Sequence, residues 1–137
     1  MKRLLAKGSV LQERQSFRLP GVEFAPPSTE SVVVEDVKVG SGDESVAVGW
    51  TVVVKYEGRL GDENGATFDK SGSFDVVVGI GEVIKGWDRG LLGMKKGGVR
   101  ILRIPAKLGY GKRGSGKEIP PDSNLFFTIT LKSLVPP

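Results

Sequence analysis

Residues 74–92 read FDVVVGIGEVIKGWDRGLL, and the change of pattern inside this stretch decides the fold. Phe74 to Val78 is a run of β-branched and aromatic residues of strand length. Gly79-Ile80-Gly81 breaks the run, and from Glu82 to Leu92 the spacing predicts a short helix. Within it Ile84, Trp87 and Leu91 fall at i, i+3 and i+7 and share one face, while Lys85, Asp88 and Arg89 point elsewhere. A strand turning into a short helix with one apolar stripe implies a helix laid on a sheet.

The flanking sequence supplies the sheet. Upstream, Val32-Val33-Val34 and Val37-Lys38-Val39 read as β structure closing at Gly40-Ser41-Gly42, and Trp50 to Tyr56 (WTVVVKY) reads as a strand. Gly58 to Gly65 (GRLGDENG) has the composition of a surface loop or hairpin connection. Downstream, Gly93 and Lys95-Lys96-Gly97-Gly98 end the helix and Val99 to Pro105 (VRILRIP) resumes a strand. From Leu125 to Leu134, Leu125, Phe127, Ile129 and Leu131 share one face, and Phe126, Thr128, Thr130 and Lys132 the other. This alternation marks a half-buried antiparallel strand. The fold class is therefore α+β: a curved antiparallel sheet of about five strands wrapped on one short α-helix, with an apolar pocket where helix and sheet do not quite meet.

Composition narrows the chemistry. The 137 residues suffice for one ordinary domain, and no apolar run approaches the roughly 18 residues needed to cross a bilayer. The chain has neither cysteine nor histidine. It thus lacks a disulfide framework, a thiolate nucleophile, the usual ligands of a zinc site and the side chain best suited to pass protons near neutral pH. Any catalysis must use carboxylates, Lys or Tyr, or no proton transfer at all. The net charge of +4 and pI near 9.4 are spread along the chain with acids interleaved, which describes a solvated basic surface better than a nucleic-acid interface.

Residues 1–30 differ in character from the rest of the chain. They carry five basic residues (Lys2, Arg3, Lys7, Arg14, Arg18) against three acids (Glu13, Glu23, Glu30) and end in the stiff Ala25-Pro26-Pro27-Ser28. They read as a flexible basic extension to a domain spanning 31–137, with Leu4 and Leu11 too few to define a helix. A mitochondrial presequence is weakened by Glu13 and the Pro-rich exit. The expected location is cytoplasmic, with nuclear and mitochondrial placements left open.

Three strings are more specific: Ala66-Thr67-Phe68-Asp69-Lys70-Ser71, Gly79 to Asp88 (GIGEVIKGWD), and Gly109-Tyr110-Gly111 followed by Ile119-Pro120-Pro121. In order and in spacing, over about residues 31–134, they resemble the FK506-binding protein (FKBP) family of peptidyl-prolyl cis/trans isomerases. The resemblance implies an FKBP-like fold and a proline pocket lined by Tyr56, Phe68, Asp69, Phe74, Val83, Ile84, Trp87, Tyr110, Ile119 and Phe127. Trp87 would form its floor. It further implies that the Ile84 N–H and the Tyr110 hydroxyl bond ligand carbonyls and that Asp69 accepts from bound groups at the rim. Asp69, Trp87 and Tyr110 are thereby the candidate catalytic residues, and the others candidate ligand-binding residues. Proline-containing protein clients and the macrolides FK506 and rapamycin are the implied ligands of a monomer that uses no cofactor or metal.

The residues depart from the family pattern at Ser115, where histidine is common, at Glu118, often apolar, and at Val76, commonly aromatic. With Lys112, Arg113 and Lys117 on the same loop as Ser115 and Glu118, the rim is more basic and more polar, which favours an acidic client and weakens macrolides.

The activity suits a chain without histidine or cysteine. The amide barrier of about 18–20 kcal/mol comes from resonance that puts negative charge on the carbonyl oxygen, and rotation removes it. An apolar pocket disfavours the polar planar state relative to the twisted one, with no acid, base or nucleophile. Taken singly the residues are less specific. Trp87 alone is more often core, Phe68, Phe74 and Phe127 serve the sheet as well as a pocket, and Asp69 before Lys70-Ser71-Gly72 reads equally as a turn residue. The rival functions are a non-catalytic adaptor of the same fold and a phosphate-binding factor using the basic tail and rim.

Overall fold

The computed structural model describes residues 31–137. The extension at residues 1–30, with its Leu4/Leu11 pair and presequence-like composition, lies outside the described residues. Five strands, β1 (Val33–Lys38), β2 (Thr51–Leu60), β3 (Thr67–Val77), β4 (Val99–Ile104) and β5 (Leu125–Val135), and one α-helix, α1 (Lys85–Gly90), are arranged along the chain as β1-β2-β3-α1-β4-β5. The strands form a single sheet, ordered β1-β4-β5-β2-β3, in which every neighbour is antiparallel. The last strand in the chain is thus the central one. On it Leu125, Phe127, Ile129 and Leu131 are each exposed by 1% or less, the alternation read from the sequence. Phe126, on the opposite face, is buried as well, because the Arg103 guanidinium lies 5.3 Å from its ring centre.

The helix lays Ile84, Trp87 and Leu91 on the sheet, all buried, as its spacing predicts. Two glycines allow the close approach. A Cβ on Gly86 would stand 2.6 Å from Ile104 Cδ1, and one on Gly90 2.7 Å from Leu102 Cδ1. The helix is shorter than the predicted Glu82–Leu92. Ile84 keeps an extended ψ of 153°, and the Glu82 carboxylate accepts from the Val77 N–H at 3.0 Å, so 82–84 serve the turn instead. At the other end Arg100 of β4, 8% exposed, donates to the carbonyls of Gly90 (2.9 Å) and Leu92 (2.7 Å) and pairs with Asp36 of β1 at 2.7 Å. These bonds satisfy carbonyls at the helix end and just beyond it that have no intrahelical donor.

Two further expectations are corrected. Gly58 to Leu60 are strand, not loop, and the connection to β3 is confined to residues 61–66. Gly58 is needed there because a Cβ would meet Phe127 Cε1 at 2.6 Å and Phe68 Cζ at 2.7 Å. β3 likewise begins at Thr67 rather than Phe74, so Asp69 lies inside a strand opposite Gly58 and not in a turn. β3 is bulged between Ser71 and Phe74, where its register against β2 shifts and Ser71 Oγ receives the Ser73 N–H at 3.2 Å. This and the shifts in β1 and the β2/β5 pairing curve the sheet around α1. Among the described residues no helix is long and apolar enough to cross a membrane.

Candidate active site

Helix and sheet bring the aromatic side chains into one cluster. Tyr56 of β2 stands with its ring centre 5.1 Å from that of Trp87, 5.6 Å from Phe74 and 6.2 Å from Phe127. Trp87 lies 5.4 Å from Phe127 at 83° and 6.0 Å from Phe74 at 77°, and Phe68 meets Phe127 at 5.6 Å and 85°. Near-perpendicular packing sets the positive edge of one ring against the negative face of another. Val83, Ile84, Tyr110 and Ile119 are buried in the same core, whereas Phe68 and Phe74 are only partly covered and flank its open side. The indole Nε1 of Trp87 is buried and has no hydrogen-bond partner among the described residues, so what holds this ring is packing.

Polar groups enter the cluster at few points. The Tyr56 hydroxyl donates to Asp69 Oδ2 at 2.7 Å, and Asp69 is 8% exposed. Burial, then the Asp69 charge, then Tyr56 push the Tyr110 phenol far above its ordinary range, so Tyr110 is a neutral donor at any physiological pH. The Ile84 carbonyl accepts the Trp87 and Asp88 N–H groups at 3.0 and 3.2 Å and so starts α1. The Ile84 N–H itself donates to no group among the described residues, although the residue is fully buried. A buried amide donor at the edge of an aromatic cluster is a place for an acceptor oxygen.

Sequence reasoning brought these ten residues together but missed what positions them. The Asp88 carboxylate accepts from the N–H of Gly79 at 2.8 Å and of Gly81 at 2.9 Å. One helical side chain thereby ties down the loop that delivers Val83 and Ile84. Gly79 and Gly81 have φ of 88° and 82°, a region that disfavours any Cβ, which explains a glycine on either side of Ile80. Burial raises the Asp88 pKa against the lowering effect of those two bonds. The folded state therefore holds this proton more tightly than the unfolded chain, so the contribution is full below the unfolded pKa and lost as pH rises through the folded one. Asp88→Ala is expected to cost about 1–3 kcal/mol by freeing two loop donors, and by urea unfolding to cost more near pH 4 than near pH 7. An unchanged midpoint would remove the loop-tying role. The signal was present in the sequence, an acid next to the tryptophan of a glycine-bounded string.

Val76 is buried in the core at 2% exposure, and Ser115 exchanges backbone bonds with Ile119 at 2.8 and 3.0 Å. A separate groove of about 610 Å³, lined among others by Lys55, Glu57, Lys70, Thr128 and Thr130, opens on the other face of the sheet. Tyr56 also lines this groove, but its other β2 and β5 residues alternate with buried Val54 and Ile129, so Tyr56 is all that it shares with the aromatic cluster.

Comparison with known proteins agrees with this geometry. The FKBP-type peptidyl-prolyl cis-trans isomerase family matches residues 42–132. An FK506-binding protein of Neisseria meningitidis serogroup A is 46% identical over 105 residues, covering 74% of this chain and 94% of that protein. FK506-binding protein 4 of Rhizopus delemar is 47% identical over 106 residues, which make up 75% of this chain but 27% of that protein. The 46 kDa FK506-binding nuclear protein of Spodoptera frugiperda is 46% identical over 106 residues, 25% of its length. A match over two thirds of the sequence, on a five-stranded sheet curled about one short helix, makes this chain a member of the FKBP-type peptidyl-prolyl cis-trans isomerases.

Proposed function

We propose that residues 31–137 form the isomerase domain, with residues 1–30 as an extension, and that it accelerates rotation about X-Pro bonds of protein clients in the aromatic pocket. The observation that carries this reading is the Tyr56–Trp87–Phe127 ring cluster with the Tyr56–Asp69 bond at its edge. A pyrrolidine ring seated on Trp87 is held by apolar contact while its amide twists. The Ile84 N–H bonds a carbonyl of the substrate, and Tyr110, fixed as a neutral donor, bonds a second. Asp69 keeps Tyr56 oriented and accepts from groups at the rim. Desolvation weakens the dipolar planar amide, and the walls select the turned conformer. Relatives named for binding FK506 support FK506 as a ligand of the same pocket, and rapamycin is the second macrolide that the resemblance implies.

The test is a protease-free assay of cis-to-trans relaxation in a short Leu-Pro peptide with the full chain. The spontaneous event takes about 10–100 s at 25 °C, slow enough to follow directly. Relaxation that speeds with protein concentration and returns to the spontaneous rate with excess FK506 is the expected result. A spontaneous rate at every concentration of folded protein sinks the isomerase and leaves a proline-binding adaptor. Because no step moves a proton and Tyr110 does not ionise, kcat/KM should be flat from about pH 6 to about pH 9. A tenfold change per pH unit within that range would mean that a titrating group takes part.

A further inference from the structure

We infer that the loop following Tyr110 makes this isomerase selective for prolines flanked by acidic residues, an inference that rests on the isomerase reading above. Lys112, Arg113 and Lys117 are exposed on this loop, and none forms an ion pair among the described residues. Glu118 is the only carboxylate between Gly111 and Ile119, so the loop carries an excess of positive charge.

An exposed basic loop is ordinarily a solvated face, but this one is braced from the pocket. The Gly114 N–H donates to the Tyr110 carbonyl at 3.1 Å, Ser115 and Ile119 exchange two backbone bonds, and the Asp122 N–H donates to the Gly111 carbonyl at 2.9 Å. Both feet of the loop, Tyr110 and Ile119, are buried pocket residues. Gly114 has a φ of 68°, and a Cβ there would stand 2.3 Å from the Ile119 carbonyl oxygen, so the conformation depends on glycine. The three cations are thereby held near the pocket. Asp69, inside it, already accepts the Tyr56 hydroxyl and sits on β3, not on this loop.

Distance makes the preference physical. An extended peptide advances about 3.3 Å per residue, so a carboxylate two or three positions from a seated proline lies about 7–10 Å away. Such a carboxylate has left the pocket and stands in solvent, where attraction to the exposed loop cations is screened over about 8 Å at physiological salt. Its signature is a charge preference that fades with salt.

Three peptides with one Leu-Pro core and two flanking Glu, Gln or Lys residues distinguish the outcomes. With the full chain at about 20 mM salt, kcat/KM is expected to be about 3–10-fold higher for Glu than for Lys, shrinking below about twofold at 0.5 M. The variant Lys112→Glu/Arg113→Glu/Lys117→Glu should reverse the order and leave the Gln peptide unchanged. Equal rates for all three peptides at low salt, or an order that the variant preserves, overturn the inference. So does a 20-bp DNA duplex that displaces the Glu peptide at equal concentration, which would make the loop a phosphate-binding surface. If the Gln peptide itself is not accelerated, the isomerase reading has failed instead. NMR titration then decides the rim alone: tighter binding of the Glu peptide with shifts at residues 112–117 supports it, and equal affinities overturn it.

Discussion

Trp87→Ala is expected to remove about 3–5 kcal/mol of stability and all measurable acceleration of Leu-Pro relaxation. The ring is fully buried and packs against Tyr56, Phe74 and Phe127 at once, so alanine leaves a cavity that three other rings cannot close without losing their own geometry. Since a domain has only about 5–15 kcal/mol in total, the alanine variant can fall below the threshold for folding, and Trp87→Leu provides the cleaner reading. Leucine keeps the site apolar and should still unfold cooperatively. It should also lower kcat/KM by about tenfold or more, equivalent to about 1.4 kcal/mol of transition-state binding per factor of ten. A folded Trp87→Leu protein with full kcat/KM would show that the floor of the pocket is structural only.

Arg100→Met is expected to cost about 3 kcal/mol, because this β4 side chain holds the C-terminal end of the helix. Methionine fills similar volume but offers no donor to the Gly90 and Leu92 carbonyls, and it leaves the Asp36 carboxylate without its partner. Asp36 is partly exposed and can rehydrate, which keeps the loss below that of a fully buried pair. At about 4–8 °C per kcal/mol for a domain of this size, Tm should fall by roughly 12–24 °C. Arg100→Lys should not restore it, because one ammonium cannot span two carbonyls and a carboxylate. Calorimetry of the three proteins checks this, and a fall of under 4 °C in Arg100→Met would mean the helix end is held by packing alone.

How much of the fold is legible in the sequence depends on the range of the interactions involved. The period-two pattern of β5 and the i, i+3, i+7 stripe of α1 are local, and both faces lie where the spacing puts them. Gly58 misleads because glycine in a polar stretch signals a turn, whereas here it makes room for two rings, one of them from a strand far along the chain. The predicted helix is too long because Glu82 and Val83 suit a helix, and the bond from Val77 to Glu82 competes with it. The Arg100–Asp36 pair joins residues distant in sequence, with no local pattern to announce it. For the site, the resemblance over residues 31–134 names ten candidates, and the structure gathers the apolar and aromatic ones in or against one core, with Asp69 bonded to Tyr56. Gly86 and Gly90, which let the helix close on the sheet, have no side chain by which a sequence would single them out, whereas Asp88 stands as an acid beside Trp87 but ties down a loop that only the fold brings to it.

The position of β5 at the centre of the sheet, hydrogen-bonded to β4 on one side and β2 on the other, has a consequence for biosynthesis. Until β5 leaves the ribosome, β2 and β3 can form only a hairpin and β1 and β4 only a second two-stranded pair, neither stable by itself. The pocket needs Phe127 from that same strand. A nascent chain therefore holds no native site until β5 is made, and folding then waits on contacts of long sequence separation, the slow class of event.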